Sequence, residues 1–521
     1  MKSSADLYNL IKSMTGPEKG YFRKYVSGFG TDADAEYLVL FEALDSLDSY
    51  DEKQLKINLA HTPFVKRLPV VKNYLYNQIL KAMRSFSAGN SMERIISELF
   101  LDADYLWEKK LYSQALKCIY RIRSIAEETE EFALMLKALA WQKNAVVLSG
   151  DYSEELTSCF RDFEYYALLA KNANEYEYLT ISLGRIINSV GENVSEETRL
   201  ALLNLESHPL LQSSELALSI QAKLNFHYLK GKLAQMIHLD VHTAHLHNKN
   251  RLILLESSTT LLKEKADIYL TLLYGFILSC INAGNWDEYT IYIPKLQSIA
   301  HNQQKEYSAN VVQKAQIRLL DIEVLTILEK RKLDTEINVA QFFKKYTQLQ
   351  QYMNNEHKAI ILSNLIIISF AYGYHSLCKK MIALHLQYPE EFRPDTHAVI
   401  RFIELMIAAM EKDFSYAEYR ARSLKSFLTK RQLLGDVEKL MLNTILKIAR
   451  TLLQKEKIKL IQKEWNIWLT LPDTIKNSAF ARNIFYTEWL QSFLQEKTLL
   501  ELIADNEIKA AQFLHSLPVI H

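Results

Sequence analysis

Lys412-Asp413-Phe414-Ser415-Tyr416-Ala417-Glu418 reads as a helix end, a short turn and the start of the next helix. The same layout stands at Lys110-Leu111-Tyr112-Ser113-Gln114-Ala115-Leu116, at Gly150-Asp151-Tyr152-Ser153-Glu154-Glu155-Leu156 and at Gly284-Asn285-Trp286-Asp287-Glu288-Tyr289. Each has a small or polar turn, then an aromatic, then a polar pair, then a residue that opens a new apolar stripe. Tyr374, followed by Leu377, fits more loosely. Tyr112, Tyr152, Trp286, Tyr374 and Phe414 are therefore the candidate anchors of a repeated structural unit.

What lies between the anchors is helical in pattern. The 521 residues include only 13 glycines and 9 prolines, where average usage would give roughly 36 and 26. Strand-rich and loop-rich chains need both, because Gly supplies positive φ and Pro fixes φ in turns. No proline occurs between Pro69 and Pro209, or between Pro394 and Pro472. The expected fold class is all-α, with helices joined by short connections.

The anchored corners resemble the junction between the two helices of a tetratricopeptide repeat. There a turn residue, an aromatic two on and an alanine three later let the second helix pack closely on the first. Tyr112/Ala115 and Phe414/Ala417 match that pattern, and Ala103 and Leu106 precede Tyr112 suitably. Glu155, Tyr289 and Lys143 depart from it. Tyr112 to Tyr152 and Tyr374 to Phe414 are both steps of 40 residues, longer than the 34 or so of the standard repeat and closer to HEAT and armadillo arrays. The resemblance implies a right-handed superhelical α-solenoid over residues 91–470, whose concave face takes a protein or peptide. Residues 471–521 would cap its end.

Residues 268–286 and 359–378 contain no Asp, Glu, Lys or Arg and approach the length of a membrane span. Both carry internal Ser, Asn or Gly, and both end at an anchor, Trp286 or Tyr374. That is the place of a helix surrounded by its neighbours, so no membrane span is expected.

Residues 1–88 lack the anchors and read as a separate helical module, a cap or a helix-turn-helix-like unit. Thr15-Gly16-Pro17-Glu18 is a helix start, and helices are expected over 35–47, 51–59 and 70–86. From Lys53 to Met92 there are seven basic residues and no acidic one. On the 70–86 helix, Asn77, Lys81 and Arg84 share a side while Lys72 falls opposite. These three are the candidate nucleic-acid contacts. The module as a whole holds 12 basic and 10 acidic residues, which weakens that reading.

Chemistry is sparse. His238, His242 and His245 stand at i, i+4 and i+7 and would share one side of a continuous helix, making them the candidate metal ligands. No HExxH completes them. Gly28-Phe29-Gly30 lacks the third glycine and preceding strand of a dinucleotide fingerprint, and there is no P-loop or GxSxG elbow. Cys118, Cys159, Cys280 and Cys378 lie 41, 121 and 98 residues apart, with neither zinc-finger nor disulfide spacing. Net charge is +1, so no whole-protein field steers a polyanion. The sequence thus leads to a cytoplasmic, non-catalytic helical scaffold without a cofactor. The alternatives are a regulator with a nucleic-acid-binding amino-terminal module and a metal-dependent enzyme.

Overall fold

The computed structural model describes residues 5–27, 32–86, 91–148, 154–189, 196–302, 307–330, 337–390, 394–431, 433–451, 453–472, 481, 484–495 and 497–503. Every regular element among them is an α-helix or a short 3-10 turn. The Tyr152 anchor and Gly28-Phe29-Gly30 lie outside the described residues. Two compact units divide the chain, Met1–Ala167 and Leu168–His521.

The first unit opens with α1 (Asp6–Ser13), α2 (Gly16–Ser27), α3 (Asp32–Asp45), α4 (Glu52–Asn58) and α5 (Leu68–Phe86). α2 starts two residues before Glu18, whose carboxylate reaches back to the Thr15 N–H at 2.6 Å and to its hydroxyl at 2.8 Å. That contact satisfies a donor the helix leaves without an internal partner. Asp51 caps α4 in the same spirit, accepting from Lys53 N at 2.8 Å. Leu7, Phe22, Phe41, Phe64, Leu75 and Ile79 belong to one core confined to residues 7–82. α6 (Met92–Glu108), α7 (Tyr112–Glu128) and α8 (Phe132–Leu148) follow, each packed on the next. Ser91 caps α6 through Arg94 N. Helix α9 (Glu154–Ser189) contains the boundary between the units.

Five helix corners share one backbone solution. Lys110, Glu130, Gly284, Gly373 and Lys412 all adopt left-handed φ, between 54° and 71°. The next residue's N–H returns to a carbonyl five positions back: Leu111 to Leu106, Glu131 to Ala126, Asn285 to Cys280, Tyr374 to Ser369 and Asp413 to Ala408. This is the Schellman arrangement, which satisfies carbonyls orphaned by the end of the first helix. One residue later the second helix begins, at Tyr112, Phe132, Trp286, His375 and Phe414. The residue three further on is buried each time: Ala115, Met135, Tyr289, Cys378 and Ala417.

That register corrects two expectations drawn from the repeat pattern: that Tyr374 is an anchor, and that Trp286, Tyr374 and Phe414 are largely buried at their corners. His375, not Tyr374, occupies the position of Trp286 and Phe414, because Gly373 sets the left-handed residue one place later than the aromatic required. Tyr374 is accordingly 44% exposed. Tyr112, Trp286 and Phe414 do open helices but are half-buried; the buried position is the one three residues on.

The second unit continues from the end of α9 through α10 (Glu196–Glu206), α11 (Ile220–Ile237), α12 (Val241–Glu256), α13 (Thr259–Glu264), α14 (Ala266–Asn282) and α15 (Trp286–His301). It goes on with α16 (Ala309–Lys330), α17 (Val339–Leu349), α18 (Asn355–Ala371), α19 (His375–His385), α20 (Pro394–Met410) and α21 (Phe414–Lys430). α22 (Asp436–Arg450), α23 (Gln454–Thr470) and α24 (Tyr486–Gln495) complete it. α11 and α12 come close at Gly231, where a Cβ would stand 3.1 Å from the His247 Cβ. α14 touches α12, α15 and α16, and α18 touches α16, α17, α19 and α20. These two helices hold most of the two uncharged segments. Their residues are buried around most of the helix circumference, which is why neither segment needs a polar face. No described helix is long and apolar enough to cross a membrane.

Candidate functional site

The three candidate metal ligands do not share a helix. α11 ends at Ile237, Leu239 takes φ 53°, and Asp240 caps α12 by accepting from Thr243 N at 2.9 Å. A left-handed residue between His238 and His242 breaks the i, i+4 relation that placed them together. His238 instead meets Glu206 at 3.2 Å, and His242 is exposed. Only His245 turns inward.

His245 sits at the centre of a polar cluster built by three helices. Its Nδ1 is 2.9 Å from Ser279 Oγ on α14 and its Nε2 is 2.9 Å from Glu288 Oε2 on α15. Lys249, one turn further along α12, holds the other Glu288 oxygen. The His245 ring stacks on Phe276, with centroids 5.2 Å apart. Cys280 lies beside the pair, and its thiol, the imidazole and the carboxylate offer ligand atoms within 4.8 Å of one another. Burial pushes the Cys280 thiol up to about 12 and lowers His245. Burial opposes ionisation of Glu288, yet hydrogen bonds from Lys249 and His245 hold its carboxyl below the usual range. The Glu288–Lys249 pair is therefore ionic, and the thiol stays protonated while nothing else binds it.

A second buried group lies on α16. Tyr274 donates its hydroxyl to Asp321 Oδ2, while Asp321 Oδ1 is buried with no hydrogen-bond partner among the described residues. Burial raises the Asp321 carboxyl to about 6 against the lowering effect of Tyr274. Nearby, the Arg318 guanidinium lies 5.2 Å from the Tyr274 ring centroid and donates to Thr271. On the α11–α12 hairpin, His227 and His247 meet through their Nδ1 atoms at 2.8 Å, and burial followed by His247 and Arg251 lowers His227 to about 4.

In the first unit, Lys72 is buried, donating to the Tyr50 hydroxyl at 2.8 Å and to Glu52 at 3.3 Å. Part of the basic run thus holds its own module together. Asn77, Lys81 and Arg84 are exposed along one side of α5, and no ion pair of Lys81 or Arg84 occurs among the described residues.

The sequence pointed to His245 for the wrong reason and missed its companions. Cys280 and Glu288 lie 35 and 43 residues further along on different helices, so no local spacing could announce them. Comparison of the chain with protein-family models, curated proteins and solved structures gives no match.

Proposed function

We propose that this chain is a non-catalytic helical-repeat scaffold that takes a protein or peptide partner on the concave face of a tetratricopeptide-like α-solenoid. The supporting observation is the order of contacts in the second unit. α14, α16, α18 and α20 each touch the next member of that series, and each also packs on the helix that follows it in sequence. Nearest-neighbour packing of this kind is how repeat arrays build a one-dimensional core and leave a long inner surface for ligands. The shared Schellman corners supply the repeated turn.

The experiment is hydrogen exchange on the full chain with a partner recovered by affinity purification from the native host. Protection on adding that partner is expected in α14, α16, α18 and α20. Protection confined to the intervening helices, or none, would defeat the reading.

A regulator that binds nucleic acid through α5 is the second reading, favoured by Lys81 and Arg84, which are exposed and without an ion pair among the described residues. Reversing both charges together should weaken binding of duplex DNA or RNA and reduce the slope of log affinity against log salt by about two phosphate contacts' worth. If the intact protein binds neither duplex at low salt, this second reading is removed.

A further inference from the structure

We propose that His245 Nε2, Cys280 Sγ and a Glu288 carboxylate oxygen form a binding site for a divalent transition cation of the zinc class. The three ligand atoms already lie within 4.8 Å of one another, on α12, α14 and α15. Zinc bonds to sulfur, nitrogen and oxygen run about 2.0–2.3 Å, which places tetrahedral ligands roughly 3.3–3.8 Å apart. The 2.9 Å separation of His245 and Glu288 then has to open by only about half an ångström or somewhat more.

The hydrogen bonds around the imidazole are compatible with this site. Ser279 Oγ lies 2.7 Å from the Phe276 carbonyl, which can only accept. A serine hydroxyl has one hydrogen, and once it is donated there the oxygen can only accept from His245 Nδ1–H. In the neutral imidazole this is the tautomer that presents the Nε2 lone pair to a cation; with no cation the proton sits on Nε2 and is donated to Glu288, Asn285 Nδ2 standing 3.5 Å away. A dication there is drawn by two anionic ligands, the carboxylate and a thiolate, with Lys249 on the other carboxylate oxygen. The orientation of a ligating histidine by a hydrogen bond from its other nitrogen is also the usual arrangement around bound metals.

On binding, the Cys280 thiol proton passes to solvent and the thiolate takes a coordination position. His245 and Cys280 are buried, whereas Glu288 and Lys249 are partly exposed and mark the way in. Three protein ligands leave a fourth position for water. Mixed sulfur, nitrogen and oxygen donors favour zinc and cobalt over magnesium or calcium.

Cobalt(II) is the probe. Full-length protein is freed of metal with a chelator, reduced, and titrated with cobalt under anaerobic conditions. One equivalent should produce a near-ultraviolet thiolate-to-cobalt band with tetrahedral visible bands, and zinc should abolish both. Cys280→Ser should remove the near-ultraviolet band, while Cys378→Ser should leave it intact. Ser279→Ala keeps all three ligands and should weaken cobalt affinity by about 10- to 100-fold. Glu288→Gln serves as the second ligand variant should Cys280→Ser fail to fold, as judged by circular dichroism, and should likewise lose tetrahedral binding. No thiolate band at one equivalent, or a band that survives in folded Cys280→Ser or Glu288→Gln, overturns the proposal.

Discussion

Phe402→Ala should lower the stability of the second unit by about 3–5 kcal/mol, the range for removing a large aromatic from a packed interior. Phe402 is fully buried near the middle of α20, a helix in contact with α18, α19, α21 and α22. The ring sits inside the large apolar core of the second unit, so a cavity term adds to the lost transfer of apolar surface from water. Phe414→Ala provides the comparison. That side chain is half-buried at a helix start, so its loss removes fewer contacts and lets water or neighbours fill the gap. Equilibrium denaturation of both variants decides the matter. Equal losses would mean that burial at the corner and burial in the middle of the core are not distinct in this protein.

Asp321 produces the second large effect, and it depends on pH. Its carboxyl titrates at about 6 in the folded chain, against 3.8 ordinarily. Between those values the folded state holds a proton that the unfolded state has released. Stability is therefore greatest at the acid end of this window and falls as pH rises through it, levelling off above about 6. A displacement of about two pH units corresponds to about 3 kcal/mol between the two ends. Asp321→Asn retains an acceptor for the Tyr274 hydroxyl and has nothing to ionise. The stability of the variant relative to the parent should therefore rise by about 2–2.5 kcal/mol from pH 4 to pH 7.5, whatever constant offset the amide introduces. Denaturation midpoints across that range test it, and an offset that does not change with pH would refute it.

Helicity was legible in the chain for a simple reason. Scarce Gly and Pro, apolar stripes and capping residues such as Asp51, Ser91 and Asp413 all act within a few residues of one another. The corners were legible in part. Gly284 and Gly373 announce left-handed turns, but Lys110, Glu130 and Lys412 adopt the same φ without a residue type that signals it. Leu239 does so too, and that single residue separated His238 from His242. Tyr374 was misplaced by one position because an aromatic side chain is a weaker register mark than the left-handed residue before it.

By itself, then, the sequence determined that this protein is all helical, where many helices stop and start, and why two uncharged segments need not enter a membrane. Local propensities, caps and periodicity are properties of neighbouring residues, and the chain order contains them. Only the tertiary structure decided which polar groups meet. His245, Ser279, Cys280 and Glu288 come together because α12, α14 and α15 pack side by side. Asp321 is perturbed because the fold buries it against Tyr274, 47 residues earlier in the chain. Burial and convergence across helices are set by packing distance, which a linear spacing of residues does not encode.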